Sequence, residues 1–162
     1  MRQLRVKASA RTYDVMIESG LLGRLSAHLD PELFYVVIAD DHIPSAYIEK
    51  VTAVAPNHIV IRFPQGEASK SLAELGRIID IMTDQCVRKD SCVIAVGGGV
   101  TGDLAGFAAA VYLRGIPYIQ IPTTLLAQID SSVGGKVAID TAKAKNAIGA
   151  IHPPVKVLID PD

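Results

Sequence analysis

Four short groups of residues in this chain have types and spacings suited to holding anions and sugar hydroxyls. They are Gly97-Gly98-Gly99-Val100-Thr101-Gly102-Asp103, Pro122-Thr123-Thr124, Asp130 to Lys136, and Lys145-Asn146. Gly97, Gly99 and Gly102 fit G-x-G-x-x-G, a spacing that lets backbone approach a pyrophosphate while the following helix offers unpaired N–H groups and its positive dipole end. Asp103 could cap that helix or contact ribose hydroxyls. The glycines could equally serve only to pack helix tightly on sheet. A complete dinucleotide pattern would place an acidic residue about 20 positions on; Gln120, Ile121 and Pro122 stand there instead.

The other groups extend this chemistry. One of Thr123 and Thr124 can cap a helix while the other turns its hydroxyl into a cleft. Asp130-Ser131-Ser132 leads into Gly134-Gly135-Lys136, flexible backbone carrying a cationic point charge suited to phosphate. Lys145-Asn146 adds a second cation and an amide that both donates and accepts. Gly66-Glu67-Ala68-Ser69-Lys70-Ser71 opens a long helix, with Ser69 as its N-cap and Glu67 free to face a ligand, or with the whole group as ordinary capping and solvated charge. Asp40 and Asp41 end a strand, where a carboxylate could bind ribose or simply form a polar turn. Arg114-Gly115 could balance a helix dipole, or reach an anion across a subunit boundary. His28, His42, His58 and His152 are scattered without metal-ligand spacing, so no metal site is read in this chain.

These groups need rigid elements beneath them, and the apolar runs supply them. Leu4 to Lys7 and Tyr13 to Ile17 predict an N-terminal edge hairpin, followed by a short helix from Leu21 to Leu29. A strand from Phe34 to Ala39, a helix after Pro44, a strand from His58 to Phe63, a helix from Ser69 to Arg88 and a strand from Cys92 to Val96 then give the βαβ alternation. Leu72, Leu75, Ile78, Ile79 and Met82 form one stripe of the long helix. Beyond the glycine turn come a helix through Leu113, a strand from Tyr118 to Ile121, a helix from Thr123 to Ile129 and an extended run from Val155 to Asp160. Apolar residues are 49% of the chain and aromatics 5%, so Val, Ile, Leu and Ala must fill the interior, as in a buried parallel sheet. An α/β fold follows.

Bulk properties remove several classes. Sixteen basic residues against 17 acidic leave no basic stripe for nucleic acid. The longest apolar run, Leu104 to Leu113, is about half of the ~20 residues that cross a bilayer. Charges at Arg2 and Arg5 interrupt any signal-peptide core, giving an expectation of cytoplasmic location. Cys86 and Cys92 are too few for a disulfide scaffold and are expected to pack in the core.

Taken together, Gly97–Asp103, Arg114-Gly115, Pro122-Thr123-Thr124, Gln128 to Lys136 and Lys145-Asn146-Ala147-Ile148-Gly149 closely resemble the 3-dehydroquinate synthase family of the shikimate pathway. That resemblance implies a Rossmann-like parallel sheet with helices on both faces and conversion of a seven-carbon keto-sugar-acid phosphate to 3-dehydroquinate and phosphate. It also implies NAD, a divalent metal (Zn or Co) and a homodimer. It assigns Asp40, Gly66, Glu67, Lys70, Ser71, Gly98, Gly99, Val100, Gly102, Asp103, Thr123 and Thr124 to the cofactor. Asp130, Lys136, Lys145, Asn146 and Arg114 would meet substrate, Lys136 and Lys145 lying near the cofactor too. Two departures stand out: Ala144 where glycine is common before Lys-Asn, and Val137-Ala138 after Lys136 where Thr-Gly is common.

In the family a helical second domain supplies the metal ligands, and residues 1–162 are expected to form the NAD-binding domain without it. The cleft face is then expected to expose apolar surface and favour self-association. A related sugar-phosphate cyclase, a metal-dependent polyol dehydrogenase and a non-catalytic NAD-binding module are the alternatives. The lysine loop argues against the dehydrogenase, which eliminates no phosphate.

Overall fold

The computed structural model describes residues 2–8 and 11–162. Met1, which opens the charged N-terminal run, and Ser9 and Ala10, in the hairpin connection, lie outside the described residues.

The chain builds β1 (Arg2–Lys7), β2 (Thr12–Ile17), β3 (Tyr35–Asp40), α1 (Ser45–Thr52), β4 (His58–Phe63), α2 (Leu72–Asp84), β5 (Cys92–Gly97) and α3 (Gly99–Val111). There follow β6 (Tyr118–Pro122), β7 (Lys136–Ile139), β8 (Ile148–Ile151) and β9 (Lys156–Ile159). Seven strands form one sheet in the order β1-β2-β9-β6-β5-β3-β4, parallel except for the edge hairpin of β1 on β2. β7 and β8 pair antiparallel as a separate two-stranded sheet.

The central strands are apolar on both faces, and alternation sends their side chains to two cores. Val36 and Ile38 of β3 and Val93 and Ala95 of β5 meet α2, α3 and the β7–β8 hairpin through Leu75, Ile78, Met82, Leu104 and Val137. Tyr35, Val37, Cys92, Ile94 and Val96 face the other way, against Leu21, Leu22, Leu25, Ile48 and Val51. Burial pushes the Cys92 thiol up to about 12, so it packs as a protonated, inert group.

Several boundaries differ from expectation. Residues 21–29 form two 3₁₀ turns, Leu21–Gly23 and Leu25–Ala27, rather than one helix. Their buried leucines imitate helical spacing, while Arg24 at φ −127° interrupts it. α2 starts at Leu72 because Ser71, not Ser69, caps it by accepting the Glu74 N–H at 3.2 Å; Ser69 Oγ turns back to the Pro64 carbonyl. The helix after Thr123 runs on as a π turn over Ala127–Ser131. The helix expected to reach Leu113 stops at Val111 and gives way to a 3₁₀ turn.

Cys86 is exposed, not buried. It stands at φ 52° just past the end of α2, where Cys86 N–H reaches Thr83 O and Val87 N–H reaches Met82 O, both at 3.0 Å. This is the paired C-terminal motif that glycine normally completes. Cys86→Gly is expected to stabilise the fold by about 0.5–1 kcal/mol, because relief of the left-handed strain exceeds the added unfolded-chain entropy. A higher urea midpoint with an unchanged slope would show it; a lower midpoint would refute it.

Candidate cofactor and anion site

β3 connects outward to β4, whereas β5 connects the other way to β6, so the chain reverses direction between β3 and β5. Crevices of this kind, outside the carboxyl ends of parallel strands, are where α/β folds take ligands. Asp40 ends β3 and the glycine turn ends β5, bringing the two predicted groups to one opening. Thr101 Oγ1 bridges them by donating to Asp40 Oδ2 at 3.2 Å. Sequence reasoning passed over Thr101; its place on the first turn of α3 was the available signal.

The glycines divide between the two roles considered for them. A Cβ at Gly97 would lie 2.7 Å from Thr101 Cβ, and one at Gly102 would lie 2.7 Å from Gln120 Oε1, so these two permit close packing. Gly98 is the N-cap of α3 and provides no side-chain cap, so among the described residues no capping side chain takes the amides of the first turn, at Gly99, Val100 and Thr101. That leaves an N-terminus fit for an anion. Asp103 does not cap α3; it lies in the next turn and pairs with Lys70. Thr124 is the capping threonine, its Oγ1 accepting the Ala127 N–H at 3.2 Å, while Thr123 lines a neighbouring cavity with Leu22, Tyr47 and Gln128.

Lys70 is the hub of the next layer. Its side chain is 5% exposed, its Nζ lies 2.6 Å from Asp103 Oδ2, and it donates to Asn146 Oδ1 at 2.5 Å. The Lys70 carbonyl accepts the Asp140 N–H, and Asp140 Oδ1 accepts the Asn146 N–H at 2.6 Å. That bond holds Asn146 at φ 53° and keeps the Asp140 carboxyl below its ordinary range. Burial pushes the Asp103 carboxyl up, and the adjacent Lys70 ammonium opposes the shift. Glu67 Oε1 lies 4.0 Å from Lys70 Nζ and 3.5 Å from Lys145 Nζ, so Lys145 is already paired. Gly66 and Ser71 flank this group, one before and one after the short 3₁₀ turn Glu67–Ser69. Asp140 was not foreseen as a member.

A cavity of about 670 Å³ opens beside this hub, lined by Asp103, Asp130, Lys136 and Asn146, with Val137 and Ile151 of the β7–β8 hairpin as its apolar wall. Four predicted residues thus share one space. Of the three predicted lysines, Lys70 and Lys145 are neutralised by carboxylates, whereas Lys136 has no ion-pair partner among the described residues. Arg114 is not brought here. It follows α3, whose 13 residues span about 20 Å from the glycine turn. Leu125, Leu126 and Ile129, 66–71% exposed, form an apolar face on the segment that presents Asp130. Among the described residues no three His, Cys, Asp or Glu side chains gather as a metal site, and no helix is long and apolar enough to cross a membrane.

The reversed strand order, the open helix N-terminus and the carboxylate facing it define a Rossmann-like α/β domain with a dinucleotide-type crevice. Residues 60–162 match the family described as 3-dehydroquinate synthase N-terminal. The chain belongs to the 3-dehydroquinate synthase family. It is 42% identical to 3-dehydroquinate synthase from Desulforamulus reducens over 167 aligned positions, covering 99% of this chain and 46% of that protein. It thus spans about half the length of the curated relatives it matches. A crystal structure of 2-deoxy-scyllo-inosose synthase complexed with carbaglucose-6-phosphate, NAD+ and Co2+ superposes with a TM-score of 0.91 at 27% identity, covering 98% of this chain and 46% of the other. For 2-epi-5-epi-valiolone synthase from Streptomyces hygroscopicus with NAD+ and Zn2+ bound, the TM-score is 0.84 at 31% identity, with the same two coverages.

Proposed function

We propose that residues 1–162 form the NAD-holding domain of a cytoplasmic, homodimeric 3-dehydroquinate synthase, which converts 3-deoxy-D-arabino-heptulosonate 7-phosphate to 3-dehydroquinate and phosphate. The observation that carries this reading is Lys136, which has no ion-pair partner among the described residues and lines, together with Asp130, a cavity that adjoins the crevice. A polyol dehydrogenase has no use for that charge. Identity of 42% to 3-dehydroquinate synthase, against 27% and 31% to the two cyclases, favours this substrate over theirs.

The residues fit the cofactor: the amides at Gly99 and Val100 would take its pyrophosphate, and Asp40 a ribose. NAD, when bound, supplies a hydride acceptor and then a hydride donor at one substrate carbon. Lys136 would hold the phosphate and offset its charge as it leaves. The Asn146 amide, its oxygen committed to Lys70, has its NH₂ to donate to a substrate hydroxyl. Asp130 would accept from another hydroxyl and fix the ring's orientation; that positioning is the protein's main contribution. A divalent metal would be held by residues outside this chain.

Phosphate release from the heptulosonate phosphate, with NAD and zinc, is the test. It should be run on this chain beside a protein extended to the full length of its relatives. Release by the longer protein alone, with NAD binding by the shorter one in calorimetry, is expected. No release from the longer protein, or release from another sugar phosphate only, would overturn the assignment.

A further inference from the structure

The turn that carries Arg114 is built against the preferences of its residues. Leu113, Arg114 and Gly115 stand at φ 47°, 63° and 105°, and only the glycine does so without steric cost. Two adjacent non-glycine residues keep such a conformation only where their surroundings over-determine it. Lys89, an exposed residue in the turn before β5, does this: its Nζ donates to Leu113 O at 2.8 Å and to Gly115 O at 2.5 Å. The two carbonyls bracket Arg114, and an ammonium has the three donors needed to hold both. It also sits beyond the C-terminus of α3, where a cation is favoured.

Neither Leu113, Arg114 nor Gly115 lines the cavity on its own chain. The turn's surroundings suit contact with another molecule, since Val111 and Leu113 flank the cation while 44% and 45% exposed. We infer that Lys89 is a positioning residue, clamping the turn so that Arg114 is presented to the substrate anion held by a second copy of the chain. This rests on the reading of Arg114 as an anion contact across a subunit boundary.

The test is steady-state kinetics of the full-length protein carrying Lys89→Met, Arg114→Ala, or both. Arg114→Ala should raise KM for the phosphorylated substrate about tenfold or more, and Lys89→Met about three- to tenfold, with the melting temperature little changed. The double variant should be no worse than Arg114→Ala alone, because Lys89 acts only through Arg114. Lys89→Arg, or Leu113→Gly added to Lys89→Met, should restore KM, the first by replacing the donors and the second by removing the need for them. A harmful Arg114→Ala beside a harmless Lys89→Met would sink the clamp alone. Multiplying effects in the double variant, or a lower melting temperature without a change in KM, would sink it too. A silent Arg114→Ala would remove the reading of Arg114 and the clamp with it.

Discussion

Lys70→Met is expected to lower the unfolding free energy by about 2–3 kcal/mol and to abolish NAD binding. Breaking a fully buried ion pair from one side costs about 3–5 kcal/mol, and the figure is reduced because Asp103 keeps 20% exposure. The loss has three parts: a carboxylate without its cation, an Asn146 oxygen without its donor, and a loop no longer tied to α3. A change in pH dependence should accompany it. With burial unopposed, the Asp103 carboxyl rises further above its ordinary value of 3.8. A carboxyl raised in the folded state contributes stability below the unfolded value and loses it as pH climbs through the folded value. The variant's melting temperature should therefore fall from about pH 4 towards neutrality more steeply than that of the parent. Adding Asp103→Asn should recover much of the stability, since an amide tolerates burial without a cation. Full stability in Lys70→Met, or no recovery in the double variant, would show that the pair is not holding the hub.

Lys136→Met should have the largest effect on catalysis while leaving the fold nearly intact. The side chain is exposed and has no ion-pair partner among the described residues, so its removal breaks no salt bridge. If its charge meets the departing phosphate, kcat/KM of the full-length protein should fall by about 10²-fold or more. NAD affinity, measured separately by calorimetry, should fall far less. Equal losses in cofactor affinity and turnover would instead make Lys136 a cofactor ligand.

The strands of the main sheet were legible because continuous apolar runs such as 35–39 and 92–96 satisfy both faces of a parallel sheet. The groups around Gly97, Thr123 and Asp130 were legible because each follows such a run. What pattern reading missed was chiefly non-local. Asp103 was offered to the cap of its own helix, yet its partner lies 33 positions earlier, in a loop that only the fold brings near. Lys70 and Lys145 looked like free cations, and tertiary structure brings Asp103 to the first and Glu67 to the second. The β7–β8 hairpin was missed although Val137 and Ile139 alternate with Lys136 and Ala138, because glycines and lysines around it read as loop. Likewise the 21–29 segment has helical spacing, but the buried leucines dock equally well from two tight turns.

The π turn at Ala127–Ser131 fixes a phase. Ser132 N–H reaches back five residues to Ala127 O, whereas Gln128 N–H reaches four, to Thr124 O. One extra residue therefore enters the winding just where outward-facing Leu125, Leu126 and Ile129 give way to cavity-facing Asp130 and Ser131. Each residue of helix turns a side chain by about 100°, so gaining or losing one here would swing the carboxylate out of the cavity. The three exposed apolar side chains can be exchanged freely as far as this chain's own packing is concerned. The number of residues between Thr124 and Gly134 cannot, and in this segment length is under tighter physical constraint than identity.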